Sequence, residues 1–198
     1  MQTEVEAKFL DVDHGAIRRR LKKLGATLKQ PMRLMRRKNF DYPDGRLDKE
    51  LNGWVRVRDE GDKITLSYKQ LNSRDLHGTE EVSIEVDNFD SACQFLIAVG
   101  FDQKSYQETK RESWQLGGVS IELDEWPWIK PFVEMEGPTE ASLKQVSESL
   151  SLDWRKALHG SVENAYQAEY DFSEAEIDAW PEIKFGTAPD WLEQRRKK

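Results

Sequence analysis

One cysteine, Cys93, is all this chain carries, so neither an intramolecular disulfide framework nor a cysteine-based zinc site can be built from it. The three histidines, His14, His77 and His159, stand in unrelated contexts without metal-ligand spacing, which sets aside histidine metal centres and histidine triads. No Gly-rich loop runs into Lys-Ser or Lys-Thr, and no dinucleotide fingerprint is present. Any phosphate must therefore be held by side chains. No apolar run approaches membrane-spanning length and no secretory hydrophobic segment is found, so a cytoplasmic location with no membrane partner is expected. Solenoid-length repeats and low-complexity tracts are also missing.

Charge is what the sequence has in quantity. Charged residues (Asp, Glu, Lys and Arg) make up 34% of the 198 positions, while seven Trp and eight Phe supply enough aromatic mass to argue against disorder. The net charge of -7 makes nucleic acid an unexpected partner despite two basic runs, Arg18-Arg19-Arg20 and Arg36-Arg37-Lys38, which read as solvated faces. Cys93 falls in a helical stretch between Asp90, read as its N-cap, and Gly100, and reads as a buried structural thiol.

The charges are placed with period two. In the first strand-like segment Glu4, Glu6 and Lys8 share one face and Val5, Ala7 and Phe9 the other. The pattern recurs: Arg56 and Arg58 alternate with Val55 and Val57, and Thr65, Ser67 and Lys69 with Ile64, Leu66 and Tyr68. Glu81, Ser83 and Glu85 oppose Val82, Ile84 and Val86; Ser120, Glu122 and Asp124 oppose Val119, Ile121 and Leu123; Glu134 and Glu136 oppose Val133 and Met135. A solvated sheet face would mix in more Gln, Asn and Thr. Closing these strands into a barrel would bring the carboxylates around one lumen with Lys8, Arg56, Arg58, Lys69 and Arg111, and would turn the apolar residues outward.

Burying unpaired charge is costly, and even paired burial often fails to offset desolvation. A lumen so lined implies water, metal or substrate inside it. Arginines and lysines at fixed strand positions suit a polyanion such as a chain of phosphates. The surplus carboxylates suit a hard divalent cation, magnesium or manganese.

The opening Glu4-Val5-Glu6-Ala7-Lys8 resembles the ExExK signature of the CYTH superfamily, the triphosphate tunnel metalloenzymes that include class IV adenylyl cyclases and thiamine triphosphatases. Its companions in order are Trp54-Val55-Arg56-Val57-Arg58, Ile64-Thr65-Leu66-Ser67-Tyr68-Lys69, Lys110-Arg111-Glu112-Ser113-Trp114, Leu123-Asp124-Glu125 and Phe132-Val133-Glu134-Met135-Glu136. The resemblance implies that Glu4 and Glu6 bind metal with Glu134 and Glu136, joined or supported by Asp124. It implies that Lys8, Arg56, Arg58, Lys69 and Arg111 hold phosphates, with Glu6, Lys8 and Arg58 in the catalytic step and Glu81, Glu85 and Glu122 in support. One departure from the family pattern is Thr109, where many members have Lys; here the lysine is Lys110, on the opposite face. A basic residue from the C-terminal segment, Lys184 or Arg155, is a further candidate for the tunnel.

The expected fold is α+β, a closed antiparallel eight-stranded β-barrel with flanking helices and a C-terminal helical segment. Strands are expected near 3–10, 32–41, 52–59, 62–70, 78–87, 104–115, 118–125 and 131–136. Asp44-Gly45, Glu60-Gly61-Asp62 and Gly117-Gly118 read as hairpin turns. Helices at 14–24 and 91–99 would cover the outward apolar face. The barrel occupies 1–137, and 138–198 forms helices at 139–150 and 154–170 and a capped turn at Ser173-Glu174-Ala175-Glu176, packing on the barrel or plugging it. The reaction expected is metal-dependent hydrolysis of inorganic, thiamine or nucleoside triphosphate or longer polyphosphate. Adenylyl cyclase chemistry and non-catalytic polyphosphate binding are the alternatives, and oligomeric state is left open.

Overall fold

The computed structural model describes residues 2–72 and 79–197, with backbone alone at 2–4 and 79. His77 lies outside the described residues. In chain order the elements are β1 (Gln2–Glu4), β2 (Glu6–Leu10), α1 (His14–Lys23), β3 (Thr27–Asp41), α2 (Arg46–Leu51), β4 (Gly53–Asp59), β5 (Ile64–Leu71), β6 (Thr79–Val86), α3 (Phe89–Ala98), β7 (Asp102–Leu116), β8 (Val119–Glu125) and β9 (Phe132–Glu136). The C-terminal segment adds α4 (Glu140–Ser149), a 3-10 turn (Trp154–Lys156), α5 (Glu163–Glu169), α6 (Glu174–Asp178), β10 (Glu182–Ile183) and α7 (Asp190–Glu193).

The sheet runs β1-β6-β5-β4-β3-β7-β8-β9-β2, and the two-residue β10 lies parallel to β7. Every other pairing is antiparallel. Because β1 and β2 are separated only by Val5, they are halves of one strand, and the eight strands read from alternation are all present. The seam differs from a closed barrel. The first half bonds to β6, with Gln2 opposite Glu81, whereas the second bonds to β9, with Glu6 opposite Glu136. The curled sheet is thus joined to itself by a strand that changes partner midway. The other edge of β2 is taken by the C-terminal segment, where Lys8 and Leu158 exchange backbone hydrogen bonds of 2.8 and 2.9 Å.

Apolar residues lie outside the barrel. Val5, Ala7 and Phe9 pack with Val119, Ile121, Leu123, Val133 and Met135 against Ile17 and Leu21 of α1 and Leu143, Val146 and Leu150 of the α4 region. The helices are placed by their ends: Asp13 accepts from the Gly15 amide before α1, and Thr139 forms a reciprocal capping box with Ser142 at α4. Helix α3 is capped by Asn88, two residues before the expected Asp90, and buries Cys93 with Phe89 and Leu96 against Phe40 and Val57. This cover is uneven. Val82 and Ile84 on β6 and Phe95 on α3 remain exposed, so the outward apolar face is bare there.

Two local expectations need correction. Asp44-Gly45 is not a tight hairpin turn: Gly45, with a φ of 70°, opens α2, whose Leu47 and Asp48 amides bond to Asp41 at 3.0 and 3.1 Å. The expected helix at 154–170 is broken into the 3-10 turn and α5, because Ala157 onward is extended to pair with β2. A third cluster gathers Trp126, Tyr166, Tyr170, Trp180, Ile183 and Leu192 and seats the C-terminal segment on the barrel.

Burial sets the stability expectation. Leu143→Ala, at a fully buried site between α4 and the barrel, should cost about 2–5 kcal/mol in urea unfolding. Ile84→Ala, on the uncovered face, should stay within about 0.5 kcal/mol.

Candidate active site in the tunnel

The inward face of each strand follows from parity, and cross-strand register decides which charges meet. Lys8 stands opposite Glu134, Lys69 opposite Glu81, Arg111 opposite Asp124 and Glu122 opposite Glu134. Directly opposed residues have Cβ atoms about 5 Å apart. Three of the four pairs join opposite signs, and Arg111 reaches both acids of the like-charged fourth, so the contacts form a network.

At its centre Glu134 receives two cations: Lys8 Nζ at 3.4 Å and Arg111 Nη2 at 3.1 Å. Arg111 also grips Asp124 through Nε at 2.7 Å and Nη2 at 2.6 Å, a bidentate pair at a carboxylate almost without solvent. The Lys8 ammonium further donates to Glu6 Oε1 at 2.9 Å and to the carbonyl of Gly160 at 2.5 Å, so its three protons all have acceptors. Glu81 holds Lys69 at 3.1 Å and Arg56 at 3.4 Å.

These contacts separate the acids into two sets. Burial by itself would raise the Glu134 pKa, but Lys8, Arg111 and Lys69 drive it well below the usual carboxylate range. Glu122 moves the other way, raised by burial against the pull of Arg111 and of its hydrogen bond from Ser113. Glu136, nearer solvent at the rim, is raised by desolvation and by the charges of Glu134 and Glu6. Burial would lower the Lys8 pKa, yet Glu6 and Glu134 hold it above its ordinary value. It is a fixed cation.

Of the residues singled out by sequence, Glu6, Lys8, Arg56, Lys69, Glu81, Arg111, Glu122, Asp124 and Glu134 come together in this network, with Glu136 beside it. Arg58 is inside as well but is occupied by Glu60, whose Oε1 accepts from Nε at 3.0 Å, from Nη2 at 2.7 Å and from Thr65 at 3.1 Å. The Glu4 side chain lies outside the described residues. Glu85 is exposed on β6. Lys184 and Arg155 do not reach the tunnel: each is more than half exposed and paired to a neighbour, Glu182 or Asp153. Lys110 faces outward over the Phe185 ring, while Thr109 is buried inside.

Several interior residues had no signal in the sequence pattern. Arg37 corrects the reading of Arg36-Arg37-Lys38 as a solvated face: it is buried, with its guanidinium carbon 4.6 Å from the Trp126 ring centre. Arg33 donates to the backbone carbonyls of Glu60 and Arg111 and to Ser113 Oγ. Register is unbroken from Arg33 to Asn39, so both arginines share the inward face with Met35; the flanking Arg36 and Lys38 hide that alternation because charge falls on both faces. The Gly160 carbonyl is nonlocal to Lys8 and left no local signal.

The CYTH domain model matches residues 2–166. The chain belongs to the CYTH domain family, and the curled antiparallel sheet around its charged interior is that family's tunnel fold. Among solved structures, a candidate adenylate cyclase from Vibrio parahaemolyticus superposes with a TM-score of 0.70 at 18% identity, over 84% of this chain and 98% of that one. The PH1012 protein of Pyrococcus horikoshii OT3 gives 0.67 at 20% identity, covering 82% and 98%. A candidate adenylyl cyclase from Hippeastrum, described as having a dominant triphosphatase activity, gives 0.58 at 16% identity, covering 88% and 94%. No curated protein matches the sequence. Among the described residues, no helix is long and apolar enough to cross a membrane.

Glu122 supplies a pH test. A carboxyl whose folded pKa is raised favours the folded state below its unfolded pKa and loses that contribution as pH rises through the folded value. Ionisation of Glu122 therefore works against the fold. Relative to the wild type, Glu122→Gln should have a higher melting temperature at pH 7 than at pH 4, as checked by thermal unfolding at both pH values.

Proposed function

We propose that this CYTH protein hydrolyses a triphosphate in its tunnel with the help of a divalent cation. The observation that carries the reading is the interior network in which Lys69, Arg56 and Arg111 line the same lumen as Glu6, Glu122, Asp124, Glu134 and Glu136. Fixed bases of this kind match a chain of phosphates, and the carboxylates outnumber what those bases neutralise locally.

The donor set fits magnesium or manganese. All its ligand atoms are carboxylate oxygens, and no nitrogen or sulfur competes. Among the described residues no three acidic side chains form a ready-made cage. That agrees with magnesium, which is usually held by one or two carboxylates together with substrate phosphates. Glu6 and Glu134 would hold it together with phosphate oxygens, Glu4 and Glu136 on the same strand faces would be the further carboxylates in reach, and Asp124 would support Arg111. When bound, the cation supplies Lewis-acid polarisation of phosphoryl oxygens.

The residues of the chain do the rest by position and field. Arg56, Arg58, Lys69 and Arg111 orient the phosphates and offset the charge that builds on the leaving group, an effect strongest where water is excluded. Lys8 remains an ammonium, so it places Glu6 and Glu134 and adds positive potential without accepting a proton. Glu122, whose pKa burial raises and which is not among the residues that would hold the cation, is the carboxylate suited to receive a proton from attacking water.

The test offers ATP, inorganic triphosphate and thiamine triphosphate with magnesium or manganese and resolves phosphate, pyrophosphate and cyclic AMP. Phosphate release is expected. Glu6→Gln and Glu134→Gln should each lower turnover at least about 100-fold, with circular dichroism unchanged. Cyclic AMP and pyrophosphate as products would replace the hydrolase with the cyclase, and full turnover in both variants would remove the role given to these carboxylates.

A further inference from the structure

Each of the five tunnel bases singled out by sequence has a carboxylate within 4 Å: Lys8 has Glu6, Arg56 and Lys69 have Glu81, Arg58 has Glu60 and Arg111 has Asp124. Arg37 has none among the described residues. It is 93% buried, counted from a relative exposure of 7%, and its Nε has no hydrogen-bond partner. Among the described residues its only side-chain hydrogen bond runs from Nη2 to the Thr109 hydroxyl at 3.0 Å. Its register partner on β4 is Arg58, so two like charges face each other directly across the strands, an arrangement that is destabilising when empty.

The surroundings reinforce the deficit. Burial, followed by the charges of Arg56, Arg58 and Arg111, pushes the Arg37 guanidinium well below its ordinary pKa, and only Asp124 opposes them. The guanidinium lies on Trp126, which is braced edge-on by Tyr166, with ring centres 6.3 Å apart. A flat aromatic support fixes the plane of the fork while leaving Nε and the other edge free to donate. Thr109 is also buried and accepts from Arg37, so its own proton is left for an acceptor in the same place. Among the described residues Arg37 is a buried cation with no carboxylate within 4 Å, an unpartnered Nε and three more guanidiniums within electrostatic reach, an arrangement that an anion completes.

We propose that Arg37, Thr109 and Trp126 form an anion subsite that takes an unesterified terminal phosphoryl group of a polyphosphate chain. The ligand's identity rests on the triphosphatase reading; the demand for an oxyanion rests on the geometry alone. A terminal group is assigned because this part of the tunnel is covered by the C-terminal segment. Strand β10 pairs with β7 at Gln107, the register partner of Arg37 on that side, and Tyr166 and Trp180 stack behind Trp126. A phosphoryl group and its oxygens fit the chemistry offered there.

The test uses Arg37→Met, which keeps a long side chain over Trp126 and removes the unbalanced charge. The full-length protein, stripped of metal by a chelator, is titrated with inorganic triphosphate and with orthophosphate by calorimetry and thermal unfolding. Without ligand, the variant should melt at or above the wild-type temperature. Its affinity for triphosphate should fall about ten- to hundredfold, and stabilisation by orthophosphate should disappear. Unchanged triphosphate affinity in Arg37→Met would overturn the subsite. If Arg37→Met does not fold, Arg37→Gln is measured in the same way, and failure of both to fold would overturn the proposal by showing that the guanidinium holds the fold without an anion. The two readings separate cleanly. Loss of binding in the variant with no hydrolysis by the wild type keeps the subsite and removes the hydrolase, whereas hydrolysis with an unchanged KM in the variant does the reverse.

Discussion

The interior depends on one carboxylate shared between two cations. Glu134 on β9 is reached by Lys8 from β2 and by Arg111 from β7, and Arg111 passes the connection on to Asp124 of β8. Four strands are thus cross-linked by opposed charges where most small barrels place aliphatic side chains. Desolvating those groups costs free energy that their mutual attraction only partly offsets. The compensation lies on the other side of the sheet, where Ala7, Val119, Ile121, Leu123, Val133 and Met135 are fully buried beneath α1 and α4. The fold is turned inside out: its oil is outside the barrel, and the barrel is kept for ions.

That inversion was readable from the sequence because it is a matter of parity. Glu6-Ala7-Lys8-Phe9 or Glu134-Met135-Glu136 can be assigned to faces without knowing any partner, since side chains two apart share a face whatever the strand pairs with. Hairpin register then follows from Gly117-Gly118, both with positive φ of 58° and 81°. For these strands the local pattern and the tertiary environment agree, and the residues predicted to meet do so.

What could not be read is what depends on distant partners or on an alternation hidden by charge on both faces. Arg37 sits in a run of three basic residues, and only register with β4 and β7 shows that the middle one turns inward. Glu60 follows β4 and looks like part of a solvated turn, yet it neutralises Arg58. The stretch after Trp154 has aromatic spacing suited to a helix, and pairing with Lys8 draws it out into an extended segment instead. Lys184 and Arg155 carry the charge wanted in the tunnel, but each pairs with an acid two residues away and stays at the surface.

The strand that changes partner at Val5 has a consequence for how the molecule is assembled. Its first half must wait for β6, its second for β9, and the outer edge of Lys8 for Leu158, whose backbone and following carbonyl finish both the edge and the ammonium. Contacts spanning so much of the chain are late and slow to form, because loop closure must precede them. The β1–β2 strand is therefore among the last to be fully bonded, and its outer edge stays unpaired until the segment around Leu158 is in place. The hydrogen bonds of the Lys8 ammonium and the pairing of the β2 edge are completed in the same event.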